Sequence, residues 1–278
     1  MSIGQDWLRA APACSECRYP EIAMGVTGQE ERKKTGKFWR ECLRIFLSSI
    51  EKYGNGRLMH EKGELPMTDF IADIKIPDSK LAAEAAELVR EHADDLLWNH
   101  SNRVFLFAAM KGSLNQMKYD SELLYISSLF HDIGLTPAFR SADKRFEVDG
   151  ANAARDFLKS RGVPEDSVRL VWDAVALHTT VGIVEYKETE AALMNFGVAY
   201  DVVGKNFDLI PAEMRQQVVG AFPRSRFKQQ ILQTFLEGFK HKPETTYGTI
   251  NADICELLLP GYVRPNFCHH VLHSKWDE

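Results

Sequence analysis

An all-α fold is predicted for this chain of 278 residues on three observations. Apolar residues recur at three- and four-residue spacing through most of its length, which is the period of a helix packed on one face. No segment holds the two-residue alternation of a half-buried strand. The punctuation is also that of helices: Gly54-Asn55-Gly56, Pro77 and Gly162-Val163-Pro164 each fall between periodic runs.

Taken in order, residues 1–28 carry Pro12, Pro20, Gly25 and Gly28 with little periodicity and read as an irregular arm. From Glu30 to Tyr53 the residues Phe38, Cys42, Ile45, Phe46, Ser49 and Ile50 predict a helix that Gly54-Asn55-Gly56 stops. Residues 57–77 are mixed, and Pro77 disfavours helix in Ile74-Lys75-Ile76 before it. Asp78 or Ser79 then caps a helix through about His92, with Leu81, Ala85, Leu88 and Val89 as its apolar stripe. The next helix starts near Asn99 and sets His100, Val104 and Phe107 on an inward face.

A buried helix follows through Leu123, Ile126, Leu129, Phe130 and Ile133, and Gly134 is expected to let the backbone leave it. The loop Leu135–Arg145 comes next, and then a helix from Phe146 to about Arg161. Pro164 starts another, on which Val171, Val175 and His178 share a face until Thr179-Thr180-Val181-Gly182 ends it. From Glu188 to Lys205 the stripe Met194, Val198, Asp201 puts an acid where an apolar residue is expected, and Gly197 and Gly204 would let a neighbour approach closely. Two helices are predicted between Pro211 and His241, a last one within Tyr247–Leu259, and an extended tail from Pro260 to Glu278.

Composition excludes several function classes. A formal charge of −5, with a pI near 6.0, offers no general attraction to phosphate backbones, so nucleic acid is not an expected partner. No apolar stretch reaches the roughly 18 residues of a membrane span, and the N-terminus lacks a basic region followed by an apolar core. A soluble, cytoplasmic protein is therefore expected. Five cysteines scattered along the chain suit reduced thiols better than a disulfide framework. Cys14 and Cys17 form a CxxC whose only dense partners for a zinc site would be Cys268, His269, His270 and His273; the plainer reading is two ordinary thiols in an irregular arm.

The chemistry concentrates around Phe130-His131-Asp132-Ile133-Gly134. An imidazole and a carboxylate at the end of a core helix are costly unless each is hydrogen-bonded, paired or bound to a metal. His100 faces inward about one helix-turn-helix earlier, and Asp201 lies on an apolar face downstream. Two imidazoles and two carboxylates from three helices form a nitrogen and oxygen donor set. Such a set suits zinc, iron, manganese or nickel better than calcium, with a position left for water. His178 is expected to line the same pocket. Glu147, in the first turn of its helix, has two readings: an acid favoured by the helix dipole, or a general acid/base beside the metal. The loop Leu135–Arg145 follows the ligands directly and is the natural wall or lid of the site.

His100, the adjacent His131-Asp132 and the distant Asp201 resemble the pattern of the HD-domain superfamily of metal-dependent hydrolases. Ile76-Pro77-Asp78-Ser79, Asn99-His100-Ser101-Asn102-Arg103-Val104-Phe105, Phe130 to Thr136 and Phe146-Glu147-Val148-Asp149-Gly150-Ala151 are together similar to its cyanamide hydratase branch. The resemblance implies a helical bundle holding one metal, commonly zinc, on His100, His131, Asp132 and Asp201, with Asn99, Thr136 and Glu147 near the substrate. The resemblance covers about residues 76–205, and the chain is expected to comprise an arm and helix over 1–75, an HD domain over 76–240, and a C-terminal helix and tail over 241–278 packed on the bundle.

The activity expected is the addition of water to cyanamide or a small nitrile, with Glu147 or His178 carrying the proton. The partner is then a small-molecule substrate, and homo-oligomerisation stays open. A phosphohydrolase acting on a nucleotide or other small phosphate ester is the alternative, and it would need Arg103 or Lys144 turned inward. A non-catalytic helical ligand-binding module is the third reading, against which the four ligand types count.

Overall fold

A computed structural model describes residues 70–276, so the predicted arm, the helix over residues 30–53 and the Cys14/Cys17 pair lie outside the described residues. The described chain opens with a hairpin of two-residue strands, β1 (Phe70–Ile71) and β2 (Ile74–Lys75), paired antiparallel. The sequence reading assigned no strand here. The hairpin turns on Ala72 and Asp73, both at positive φ (48° and 64°), the backbone signature of a tight two-residue turn. Everything else that is regular is helical, with ten α-helices among the described residues.

Helix α1 (Lys80–His92) begins as predicted, Ser79 accepting a hydrogen bond from the Ala82 amide. Helix α2 (Asp95–Leu114) begins four residues before the expected start at Asn99, because Asp94 caps it through the Leu97 amide. His100 to Met110 are all buried, so α2 runs through the middle of the protein rather than along its surface. Helix α3 (Ser121–Phe130) is capped by Asp120, which accepts from the amides of Glu122 and Leu123. It packs against α1, α2, α4 (Phe146–Lys159), α5 (Glu165–Leu177) and α6 (Thr189–Val203). α2 also lies along α6, and α4 along α5. The end of α3 is thus surrounded by the other helices, which explains why a histidine and an aspartate there are buried.

Glycine decides two of these contacts. A Cβ on Gly197 of α6 would collide with the Val104 carbonyl oxygen of α2, so glycine sets how closely the two helices approach. That closeness brings Asp201, one turn further along α6, to His100, one turn earlier on α2. Gly134 does not act as the helix terminator that was expected. It sits inside a 3₁₀ turn (Ile133–Leu135), where a Cβ would overlap the Phe146 carbonyl and stand 2.7 Å from the Gly150 amide nitrogen. It is required for the start of α4 to press on the end of α3. Gly204 serves as the left-handed cap of α6 at φ 69°, not as a point of close approach.

Helices α7 (Ala212–Ala221), α8 (Phe227–Phe239) and α9 (Asn251–Leu258) follow within the predicted intervals. The tail expected to be extended contains a short exposed helix, α10 (Phe267–Leu272), started by the Asn266 side chain on the His269 amide. Segment 241–276 is not merely peripheral, since Lys242 is fully buried against Asp149 of α4 at 2.8 Å. No helix among the described residues is long and apolar enough to cross a membrane.

Candidate metal centre

The end of α3 delivers His131 as its C-terminal cap and Asp132 as the first residue beyond it, and α2 delivers His100. One ligand atom from each of the three lies within 4.8 Å of the others, and all three side chains are buried. His131 Nε2 stands 3.2 Å from Asp132 Oδ2, and His100 Nε2 stands 3.6 Å from it. Neither approach has hydrogen-bond alignment: His100 Nε2, His131 Nε2 and both Asp132 oxygens are buried without a hydrogen-bond partner. Orphaned buried polar atoms are destabilising by about 1–3 kcal/mol each. The two imidazole nitrogens and an Asp132 oxygen lie together, and this mixed set matches the donors of a divalent transition ion.

Partners behind the imidazoles fix which nitrogen faces the cluster. His131 Nδ1 donates to the Ser128 carbonyl at 2.7 Å, so its Nε2 carries the lone pair. His100 Nδ1 donates to Asp201 at 2.7 Å with the same result. Such outer partners orient metal-binding histidines and raise their basicity. Burial lowers the His100 pKa despite Asp201, keeping it in the neutral form that a ligand needs. Burial acts the same way on His131, but the adjacent Asp132 outweighs it and raises the imidazole. Burial opposes ionisation of Asp132 too, yet His131, His100 and His178 around it hold it well below the usual carboxylate range. Asp132 is therefore a buried carboxylate with three imidazoles around it.

Asp201 is where the geometry departs from expectation. It does not join the cluster of His100, His131 and Asp132. Arg103 grips it with Nε and Nη2, each at 2.9 Å, and Arg224 reaches both its carboxylate and its carbonyl. Both carboxylate oxygens are thereby occupied by guanidinium groups and His100, so Asp201 stands behind His100 as its support rather than beside it as a fourth ligand. The physical reason is Arg103, fully buried one turn after His100, whose charge requires a carboxylate at that place. Arg103, which a phosphohydrolase would need turned toward its substrate, spends its remaining donors on the carbonyls of Phe222 and Pro223.

His178 lies closer to the centre than its expected role as a lining residue suggests. Its Nε2 stands 3.7 Å from Asp132 Oδ1 and its ring centroid 5.0 Å from that of His131. Nδ1 donates to the Val175 carbonyl at 2.6 Å, leaving Nε2 as a lone pair aimed at Asp132. Burial, helped by His131, pushes its pKa down to about 4, so it is neutral at pH 7. Glu147 is completely buried, and its Oε1 accepts from Thr179 Oγ1 at 2.6 Å, Arg145 Nη2 at 2.8 Å and Asn251 Nδ2 at 3.1 Å. Burial would raise its pKa, but Arg145 above all, then His178 and Thr179, hold it below the usual range. It is a fixed carboxylate, not a proton donor, at neutral pH.

Thr136 is buried at the end of the 3₁₀ turn with its hydroxyl on the Ile133 carbonyl, and Asn99 is half-buried on α2 beside His100. Phe227 of α8 covers the His100 ring at 5.3 Å and Phe146 covers His178 at 5.6 Å, so the walls are aromatic. The loop Leu135–Arg145 is tied down: the Ser141 amide donates to Asp149, its carbonyl accepts from Lys242, and Arg140 donates to the Glu237 carbonyl. These bonds join it to α4, to α8 and to the segment after α8. A wide cleft of about 800 Å³ beside α5, lined by Arg155, Glu165, Arg169, Asp173 and Lys187, lies away from all of this and contains ion pairs such as Lys187–Asp173.

The contributions of Arg145, Thr179, Arg224 and Asn251 were not foreseen. Arg145 and Thr179 had a signal, since each neighbours a residue already singled out. Asn251, 104 residues from Glu147, had none. Cys268, His269, His270 and His273 are exposed on or next to α10.

The family profile of the HD domain matches residues 97–195. Two cyanamide hydratases of Saccharomyces cerevisiae, DDI2 and DDI3, are each 31% identical to the chain over 150 residues, which is 51% of this chain and 67% of each relative. The matched interval contains His100, His131, Asp132, Glu147 and His178, and stops short of Asp201 and Asn251. An identity of that extent, carried over two thirds of those relatives, makes the chain a member of the HD-domain superfamily, resembling its cyanamide hydratase branch.

Proposed function

We propose that this metal-dependent HD-domain enzyme adds water to cyanamide or a similarly small nitrile, giving urea or the corresponding amide. His100, His131 and Asp132 would hold the ion, zinc in this reading, and His178 Nε2 lies 3.7 Å from Asp132 Oδ1. The bound ion supplies Lewis acidity toward the nitrile nitrogen and lowers the pKa of a water molecule.

The observation that carries the choice of substrate is the state of Arg103. A phosphate ester needs cations to receive its charge, and Arg103 is fully buried near the centre but committed to Asp201 and two carbonyls. Arg145 is bound to Glu147, and Lys144 pairs with Asp143 at the surface. Among the described residues the centre is walled by Phe146 and Phe227, with Glu147 as a further negative charge. Such surroundings favour a small neutral molecule. The likeness to two cyanamide hydratases supports the same substrate.

Of the two proton carriers read from the sequence, His178 is the one with an open lone pair at neutral pH. It accepts the proton released by the attacking water and returns it to the nitrogen of the product, a role contributing about 10²–10⁴-fold. Glu147 keeps Arg145, Thr179 and Asn251 in place around the substrate. The test compares cyanamide with a panel of nucleoside monophosphates on one metal-loaded preparation. Urea formation, lowered in Glu147→Gln with metal retained, supports the reading. Phosphate release without urea overturns it in favour of a phosphohydrolase.

A further inference from the structure

Among the described residues five buried side-chain atoms lack a hydrogen-bond partner. Four belong to His100, His131 and Asp132, and the fifth is Oδ1 of Asn251. Asn251 opens α9, outside the interval matched by the HD-domain profile, and is 2% exposed. Its Nδ2 donates to Glu147 Oε1 at 3.1 Å, so the orphan oxygen sits within one side chain's reach of that carboxylate. Glu147 in turn stands in the first turn of α4, whose Gly150 packs on the carbonyls of Phe130 and His131. Thr179, next to His178, bonds the same Glu147 oxygen. The fifth orphan is therefore joined to the four others through two residues of the centre's wall.

The orientation of the amide is not arbitrary. Glu147 is ionised, so turning Asn251 over would set its oxygen against a carboxylate oxygen. The carboxylate fixes the nitrogen, and the carbon they share leaves Oδ1 as an acceptor waiting for a donor. Buried acceptors are almost always satisfied, so the open oxygen of Asn251, held against Glu147, needs a donor that a ligand can bring. Cyanamide has such a donor: its nitrile nitrogen is an acceptor, and its amino group carries two N–H bonds at the opposite end. Glu147 Oε1 already accepts from Thr179, Arg145 and Asn251 itself. Glu147 Oε2 accepts from Arg145 Nε at 3.3 Å, so of the two side chains Asn251 holds the acceptor without a partner.

We propose that Asn251 Oδ1 accepts an N–H of the substrate, which makes Asn251 a specificity-determining residue selecting nitriles that bear an amino group. This rests on the hydratase reading, and it places part of substrate selection in the C-terminal segment rather than in the HD-domain interval.

The experiment uses the full-length, metal-loaded protein and its Asn251→Leu variant, similar in size but without either polar atom. Two probes are compared: cyanamide, and acetonitrile, in which a methyl group replaces the amino group at nearly the same size. Turnover is read as kcat/KM, and binding by saturation-transfer NMR on both metal-loaded and metal-free protein. Asn251→Leu is expected to lower the cyanamide-to-acetonitrile ratio at least about tenfold, the loss of one hydrogen bond. An equal loss for both nitriles overturns the proposal, because it means that Asn251 only steadies Glu147. An unchanged ratio overturns it as well. If the wild type turns over no nitrile, the hydratase reading fails separately and the binding arm decides: cyanamide binding weakened selectively by the substitution sustains the acceptor role, and equal binding overturns it. Metal content and thermal melting check the fold, and Asn251→Ala replaces the leucine variant if that does not fold.

Discussion

His100 and Asp201 are 101 positions apart in the chain and 2.7 Å apart in space, and the contact explains how one histidine of the centre is oriented. Asp201 accepts the Nδ1 proton of His100, which turns Nε2 toward Asp132. The same carboxylate neutralises Arg103, so support for the centre and satisfaction of a buried charge are one arrangement. Replacement by Asn keeps the shape and removes the charge. Asp201→Asn is expected to destabilise the fold by about 3–5 kcal/mol, since Arg103 is left as a buried cation without its counter-ion. Metal affinity should fall about 10–100-fold without being abolished. Urea denaturation and metal titration check both, and complete loss of metal would return Asp201 to the role of a ligand.

Gly134 allows the start of α4 to rest on the end of α3, because a side chain there would overlap the Phe146 carbonyl. Gly134→Ala is expected to cost about 1–3 kcal/mol, as overpacking in a rigid core does. Its effect on turnover should exceed its effect on stability, since the shift moves Glu147 relative to His131. Stability equal to wild type in urea denaturation would contradict the close contact.

These two positions show how much was legible in the sequence. Helical periodicity and capping residues placed the starts of α1, α2, α4, α5 and α6 to within four residues, bracketed α7 to α9, and missed the short α10. The adjacency of His131 and Asp132 on a buried helix exposed the centre without any knowledge of the packing. The supports were less readable. Gly134 looks like a helix terminator because sequence reports local backbone freedom, whereas the constraint comes from α4, twelve residues later. Asp201 on an apolar stripe reads equally as a ligand or as a salt bridge, and only the meeting of α2 and α6 at Gly197 decides that Arg103 takes it. The hairpin at Ala72-Asp73 lacked a signal because its strands are two residues long and alanine rarely adopts positive φ.

Glu147 gives a pH dependence with a definite sign. Its pKa in the folded protein lies below the ordinary value of about 4.3, held down chiefly by Arg145 against the opposing effect of burial, with His178 adding to it. The unfolded chain then takes up the proton first, so this stabilisation is complete above the ordinary value and is lost as pH falls through the folded value. Glu147→Gln should be less stable than wild type at pH 7, and the gap should narrow as pH falls below about 4.3. Denaturation midpoints recorded from neutral to acid pH check this; a gap that stays constant would mean that Glu147 is not held as a carboxylate in the fold.

The central claim is that the four orphaned atoms of His100, His131 and Asp132 are completed by a divalent ion, and metal content tests it most directly. Protein purified without chelator is measured by elemental mass spectrometry beside His131→Ala, with circular dichroism to confirm that both are folded. One transition ion per wild-type chain, absent from the variant, is the expected result. Equal metal in both proteins, or a folded and active wild type with none, would contradict it.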